Sequence, residues 1–298
     1  MPDRGPSETR LTLDKLNSLG QKDFAASLGD IYEHSPWVAQ GALTERPFKS
    51  VTDLHAAMQA TVDRALDDAR VGLLRAHPDL AGKAALAGEL TEKSSFEQSS
   101  AGLDSLTPEE MERFQVLNAA YRDKFGFPFI IAVRNATKAL ILAAFESRTE
   151  NDPTTEMATA LREVGKIAWM RLLEKVIPAP TGRLTTHVLD TAAGKPAGGL
   201  PVDLFAVNAQ GPQTLLATFV TNADGRLDAP ALEGERLKAG TYELLFHAGI
   251  YFARAGLATD APAFLDSIPI RFAISNPESH YHVPLLLSPW SYSTYRGS

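Results

Sequence analysis

The spacing of apolar positions divides the chain near residue 180. Before that point apolar residues recur every three or four places. Leu54, Met58, Val62 and Leu66 lie four apart, which predicts a helix over 51–71. Met111, Phe114, Leu117, Ala120 and Tyr121 form a second helical stripe. Met157, Leu161, Val164, Ala168 and Leu172 form a third. Two of these runs carry start signals. In Thr107-Pro108-Glu109-Glu110 the Thr107 hydroxyl can accept from the Glu110 N–H while the Glu110 carboxylate reaches back, and proline occupies the first helical position. Asp152-Pro153 opens the other, and Gly126 closes the Met111 run. No alternating pattern of comparable strength precedes residue 180, so residues 1–177 are predicted to be all-helical.

Pro178-Ala179-Pro180-Thr181-Gly182 breaks the helical texture and predicts a short hinge over 178–182. Beyond it, 202–206, 242–246 and 270–274 are short β-rich runs. Asn222-Ala223-Asp224-Gly225 is a turn signal between two of them. Many short strands with turn punctuation predict a β-sandwich over 183–298. The fold class is therefore multidomain α and β: an all-helical N-terminal domain, then a β-sandwich.

The 298 residues suffice for two ordinary domains, and 44% hydrophobic with 22% charged residues is a globular composition. The net charge of −7 comes with no basic cluster, so neither nucleic acid nor a membrane is expected as a partner. The absence of cysteine excludes disulfides, thiolate nucleophiles and cysteine metal sites. Residues 1–10 are polar with charges of both signs, unlike a signal peptide, and no run nears the roughly 20 apolar residues of a membrane span. A cytoplasmic location is the expectation.

Three segments of the β-rich half concentrate polar chemistry. Thr185-Thr186-His187-Val188-Leu189-Asp190 puts His187 on one strand face with Thr185 and Leu189. Asn222-Ala223-Asp224-Gly225-Arg226 presents Arg226 just after a turn, and His280-Tyr281-His282-Val283-Pro284 is followed by Leu285-Leu286-Leu287-Ser288-Pro289. The chain closes on Tyr295-Arg296-Gly297-Ser298. Together these segments resemble the 5-hydroxyisourate hydrolases, enzyme relatives of transthyretin, over residues 183–298. The resemblance implies a transthyretin-like β-sandwich of seven or eight strands and a homo-oligomer, a tetramer assembled through this domain. It assigns catalysis to His187, Arg226 and His282, with Tyr295 and Ser298 shaping the site. The residue types suit hydrolysis of a ring amide. Two imidazoles can divide base and acid work, and a guanidinium can hold a urate-like anion and favour developing negative charge. Either His187 or His282 could activate the water. His187 with the His-x-His of His280 and His282 is also compatible with zinc, although the resemblance requires no metal. His247 and His280 are otherwise read as structural or surface histidines.

In the helical half the polar motifs are Ala76-His77-Pro78-Asp79-Leu80-Ala81-Gly82, Ser94-Ser95-Phe96-Glu97-Gln98-Ser99-Ser100, Phe127-Pro128-Phe129-Ile130-Ile131-Ala132-Val133, and Glu163 to Leu172 around Arg171. Pro78 stiffens the backbone beside His77. Arg171 falls in the apolar arc of its helix, where a guanidinium must snorkel outward or find a buried partner. These blocks resemble the 2-oxo-4-hydroxy-4-carboxy-5-ureidoimidazoline (OHCU) decarboxylases from about residue 11 to 176. That family is helical and cofactor-free and acts on the hydrolase product. The resemblance makes His77 the catalytic acid or polarising group. It gives substrate contacts to Pro78, Ser94, Glu97, Gln98 and Arg171, and to the backbone of Phe129, Ile130, Ile131, Ala132 and Val133. The same two domains in the same order characterise the fused allantoin synthases. The expected partners are small purine-derived substrates. One active domain beside a remnant, or a transthyretin-like ligand-binding protein, are the alternatives.

Overall fold

A computed structural model describes residues 10–81, 97–99, 102–133, 136–208, 211–257 and 261–297. Ser94 and Ser298 lie outside these residues. The chain divides into two compact units, Met1–Ile177 and Pro178–Ser298. No helix among the described residues is long and apolar enough to cross a membrane.

The first unit contains helices α1 (Leu13–Ser18), α2 (Gln21–Leu28), α3 (Pro36–Ala42), α4 (Val51–Arg64), α5 (Asp67–Arg75), α6 (Pro108–Phe125), α7 (Lys138–Thr149) and α8 (Pro153–Lys175). The start signals work as local hydrogen bonding requires. Thr107 and Glu110 bond reciprocally at the head of α6, which ends on Gly126 at φ +76. At the head of α8 the Asp152 carboxylate accepts from the N–H groups of Thr154 and Thr155. The buried stripe of α8 runs through Ala160, Leu161, Val164, Ile167, Ala168 and Leu172, and it packs on α4, α5 and α6.

One helix expectation is corrected. The run over 51–71 is two helices, because Ala65 and Leu66 are extended and separate α4 from α5. Leu66 is 82% exposed, so the stripe ends at buried Val62. Asp67 and Asp68 then occupy the first turn of a new helix, where its dipole favours them.

In the second unit the strands are β1 (Arg183–Thr185), β2 (Val188–Asp190), β3 (Lys195–Pro196), β4 (Pro201–Val207), β5 (Thr214–Val220), β6 (Leu232–Glu233), β7 (Gly240–Phe246), β8 (Ile268–Ile274), β9 (His280–His282), β10 (Leu285–Leu287) and β11 (Tyr292–Thr294), with helix α9 (Ala248–Arg254) after β7. One layer has the order β5-β4-β7-β8. The other is two short sheets, β6-β1-β9 and β11-β10-β2-β3, joined by chain continuity. β1 pairs parallel with β9, and β2 with β10. Leu184, Val188, Leu285 and Leu287 from this layer share one core with Val202, Leu204, Leu244 and Phe246 from the other. The result is the predicted sandwich. The segment over 178–182, predicted as a hinge, is bonded into this unit. Ala179 N–H donates to Glu278 Oε1 at 2.8 Å and the Thr181 hydroxyl to Glu278 O at 2.9 Å. A side chain on Gly182 would lie 2.0 Å from Pro277 O, so the close approach demands glycine.

Candidate active sites

The β1–β9 register sets the first site by placing Thr185 opposite His282. Buried and half-buried residues alternate from Leu184 to Asp190, so Thr185 and His187 share the half-buried face. The Thr185 hydroxyl lies 2.8 Å from His280 Nε2 and 2.9 Å from His282 Nδ1. One hydroxyl has one proton, so it donates to one imidazole and accepts from the other, coupling the two tautomers. Zinc would compete with this bridge for ring nitrogens, and no cluster of three or more potential metal ligands occurs among the described residues.

Arg226 is brought to His187 by the turn before it. Asn222 Oδ1 accepts from the N–H groups of Asp224 and Arg226, and Gly225 is left-handed at φ +69. A Cβ there would sit 2.2 Å from Val188 O, so only glycine lets the turn close onto the strand. His187 and Arg226 form an antiparallel bridge. Burial, then the charge of Arg226, holds His187 below the ordinary imidazole range. His282 is lowered by burial, then by Arg226, His280 and His187; His280 is lowered by burial and Arg183. These imidazoles are therefore neutral near pH 7 and able to accept protons.

Arg296 and Gly297 pack against β9. Gly297 N–H donates to His282 O at 2.9 Å, and the Arg296 guanidinium stands 5.1 Å from the centre of the Tyr281 ring. Tyr295 is exposed. A Cβ on Gly297 would meet His282 Cδ2 at 2.5 Å. Gly297→Ala is thus expected to displace the imidazole from Thr185. Misplacing a reacting group by about 1 Å costs on the order of 100-fold in rate, so the substitution should slow only the reaction of this unit, checked by assaying the two activities separately.

In the helical unit His77 follows α5 and is buried. Its Nδ1 lies 3.0 Å from Leu73 O, an acceptor only, so Nδ1 carries the proton and Nε2 the lone pair of the neutral ring. Burial pushes its pKa down to about 4; the bond to Leu73 and the charge of Glu33 oppose that shift, and Arg171 and His34 reinforce it. The residues after His77 are held at several points. Gln98 Oε1 accepts from Ala81 N–H at 3.0 Å and its Nε2 donates to Asp79 O at 3.3 Å. Asn118 Nδ2 donates to Leu80 O at 2.8 Å, and Arg122 pairs with Asp79. Half-buried Pro78 begins this pinned loop.

Of the two outcomes open to Arg171, snorkelling or a buried partner, the structure has the second. Its Nε and Nη2 donate to the two Glu97 carboxylate oxygens, each at 2.9 Å, and Nη1 donates to Glu33 Oε2 at 2.7 Å. Burial acts to discharge the guanidinium, but these carboxylates outweigh it and raise its pKa. The guanidinium expected to hold substrate thus engages the protein's own carboxylates, and the amide of Gln98 is engaged by the loop.

The 129–133 segment is largely core. Phe129 stacks on Phe145 under the Arg148 guanidinium, and Ile130 and Val133 are buried; Ile131 and Ala132 are half-buried. Arg148 donates to Ile130 O, Ala132 N–H donates to Glu163, and Val133 O accepts from Ala136 N–H. Arg148 is itself held by fully buried Glu156, which also accepts from Tyr121 and Asn151.

Sequence reasoning missed Glu33, Asn118 and Thr185, assigned nothing to His34, and read His280 as a structural or surface histidine. Glu33-His34 directly before Ser35-Pro36, in a stretch containing apolar Leu28, Ile31 and Tyr32, was the available signal. His247 pairs with Asp203 at 2.9 Å and His55 bonds Gly165 O at 2.8 Å, both ordinary structural contacts.

Residues 17–173 match the family model of OHCU decarboxylase, and residues 184–297 that of the HIUase/Transthyretin family. A 2-oxo-4-hydroxy-4-carboxy-5-ureidoimidazoline decarboxylase of Halalkalicoccus jeotgali is 46% identical over 170 residues, 57% of this chain and 94% of that protein. A 5-hydroxyisourate hydrolase of Rhizobium meliloti is 58% identical over 118 residues, 40% of this chain and 98% of that protein. A crystal structure of (S)-allantoin synthase matches with TM-score 0.83 and 45% identity, covering 97% of this chain and 100% of that one. With a pinned histidine site in each unit and both units matched in this order, the chain belongs to the OHCU decarboxylase family through residues 17–173 and to the HIUase/transthyretin family through residues 184–297.

Proposed function

We propose that this chain catalyses two successive steps of urate breakdown. The β-sandwich opens 5-hydroxyisourate by hydrolysis, and the helical unit decarboxylates the product, OHCU, to (S)-allantoin. The observation that carries the proposal is that each unit holds a neutral imidazole fixed at one ring nitrogen by the fold, His77 through Leu73 and His282 through Thr185.

In the hydrolase site one of His187 and His282 takes a proton from water as it attacks the ring carbonyl, and the imidazolium so formed gives that proton, directly or by way of the other imidazole, to the departing ring nitrogen. Arg226 stabilises the oxyanion, and Tyr295 and Ser298 shape the site. In the decarboxylase site the C4–carboxylate bond of OHCU breaks, and its electron pair forms a C4–C5 double bond as the imine nitrogen takes a proton from solvent. His77 Nε2 then accepts the C4 hydroxyl proton and returns a proton to one face of C5, which leaves a carbonyl at C4. Base action first, then acid action, suits an imidazole that rests neutral. Glu97, Ser94, Pro78 and the 129–133 segment contact the substrate, while Arg171 and Gln98 hold Glu97 and the His77 loop in place. The assembly is a tetramer through the sandwich unit, working in the cytoplasm without a cofactor. Residues 1–177 form the decarboxylase domain and 183–298 the hydrolase domain.

The test is circular dichroism during turnover of freshly generated 5-hydroxyisourate, with chelator present. A rapid (S)-allantoin signal is expected. Substrate loss followed by slow, racemic allantoin would overturn the decarboxylase half. No acceleration at all would leave a ligand-binding protein.

A further inference from the structure

Two carboxylates share Arg171, and one of them lies outside every motif of the helical unit. Glu33 sits between α2 and α3, and its side chain and that of Arg171 are each only 3% exposed at their contact. Glu97 grips the other edge of the same guanidinium with both oxygens. A buried carboxylate is costly unless opposite charge and hydrogen bonds meet it, and Arg171 meets both of these. Among the described residues, Glu33, Arg171 on α8 and His34 beside Glu33 are the charged or titratable groups that bear on His77 at the end of α5. His34 is held at φ +47, a conformation uncommon for a side-chain-bearing residue, and Arg171 Nη1 also approaches Ile31 O at 3.5 Å. The loop bearing Glu33 is therefore shaped around Arg171.

We propose that Glu33 is a positioning residue of the decarboxylation site: it fixes the Arg171 fork that presents Glu97, and its charge supports the imidazolium formed on His77 during proton transfer. This rests on the decarboxylase reading above. Fold integrity alone would need only a hydrogen-bond acceptor at Glu33 Oε2. Proton transfer at His77 needs the charge.

Glu33→Gln in the full chain separates these roles, because the amide oxygen can still accept from Arg171. The expected result is a fall of about 100-fold in kcat for decarboxylation, the lower end of what positioned acid–base groups contribute. KM should change by less than about threefold, since bonds to the substrate are untouched. Hydrolysis by the same sample should be unchanged and serves as its concentration standard. Losing a neighbouring negative charge also disfavours protonated His77, so the acid limb of the decarboxylation profile should move to lower pH. Glu33→Asp keeps the charge and should keep the limb in place even where kcat falls. Full kcat in Glu33→Gln, or a loss matched by lost folded protein with an unmoved limb, would overturn the role given to Glu33. No decarboxylation by the wild-type chain would overturn the decarboxylase reading and this role together.

Discussion

Replacing His77 by alanine is expected to abolish stereoselective decarboxylation and leave hydrolysis at the wild-type rate. Positioned acid–base groups contribute about 10²–10⁴-fold, or roughly 3–5 kcal/mol of barrier, and here one imidazole serves both proton transfers. Residual product should be racemic, because no group then delivers a proton to one face of C5. Leu73 O also loses its His77 partner, and a buried group left unsatisfied costs about 1–3 kcal/mol. Thermal unfolding must therefore be measured beside the rates; His77→Gln, which retains an N–H donor, is the matched control. A second effect has the opposite sign. His77 stays neutral in the folded chain down to about 4 but takes a proton below its ordinary 6.5 when unfolded. Wild-type stability should therefore decline as pH falls from 6.5 through about 4, and the alanine variant should lack that part of the decline. Equal acid sensitivity in both proteins would count against a neutral, buried His77.

His187→Ala should produce the converse phenotype, with hydrolysis lost by about 10²-fold or more and decarboxylation of independently generated OHCU retained. His187 is half-buried and contributes to the fold mainly through backbone bonds, so a stability change within about 1 kcal/mol is expected for the exposed side of a sheet. Its absence also removes one of the charges bearing on His282, whose pKa should rise slightly towards the ordinary value. Equal impairment of both steps by His77→Ala and by His187→Ala, at unchanged folding, would defeat the assignment of one step to each unit.

The features legible in the sequence are those whose physics is local. The caps of α6 and α8 join groups within three residues, and the strand runs at β4, β7 and β8 follow from composition over five to seven positions. The resemblance to two families singled out His77, Glu97, His187, Arg226 and His282. Periodicity left Arg171 either to snorkel outward or to find a buried partner, and could not name one. The partners lie 74 and 138 positions away, at Glu97 and Glu33. The hydroxyl bridge from Thr185 likewise spans 95 and 97 positions to His280 and His282. Even the break at Ala65 and Leu66 escaped the periodic pattern, because an apolar residue at the right interval looks the same whether buried or 82% exposed. The sequence by itself determined the helical texture before residue 180, the β texture after it, and which side-chain types are present for acid, base or anion-holding chemistry. Only the tertiary structure decided which charges neutralise one another and which ring nitrogen is left for reaction. Those outcomes depend on desolvation and on distances near 3 Å, and both arise only when remote segments pack together.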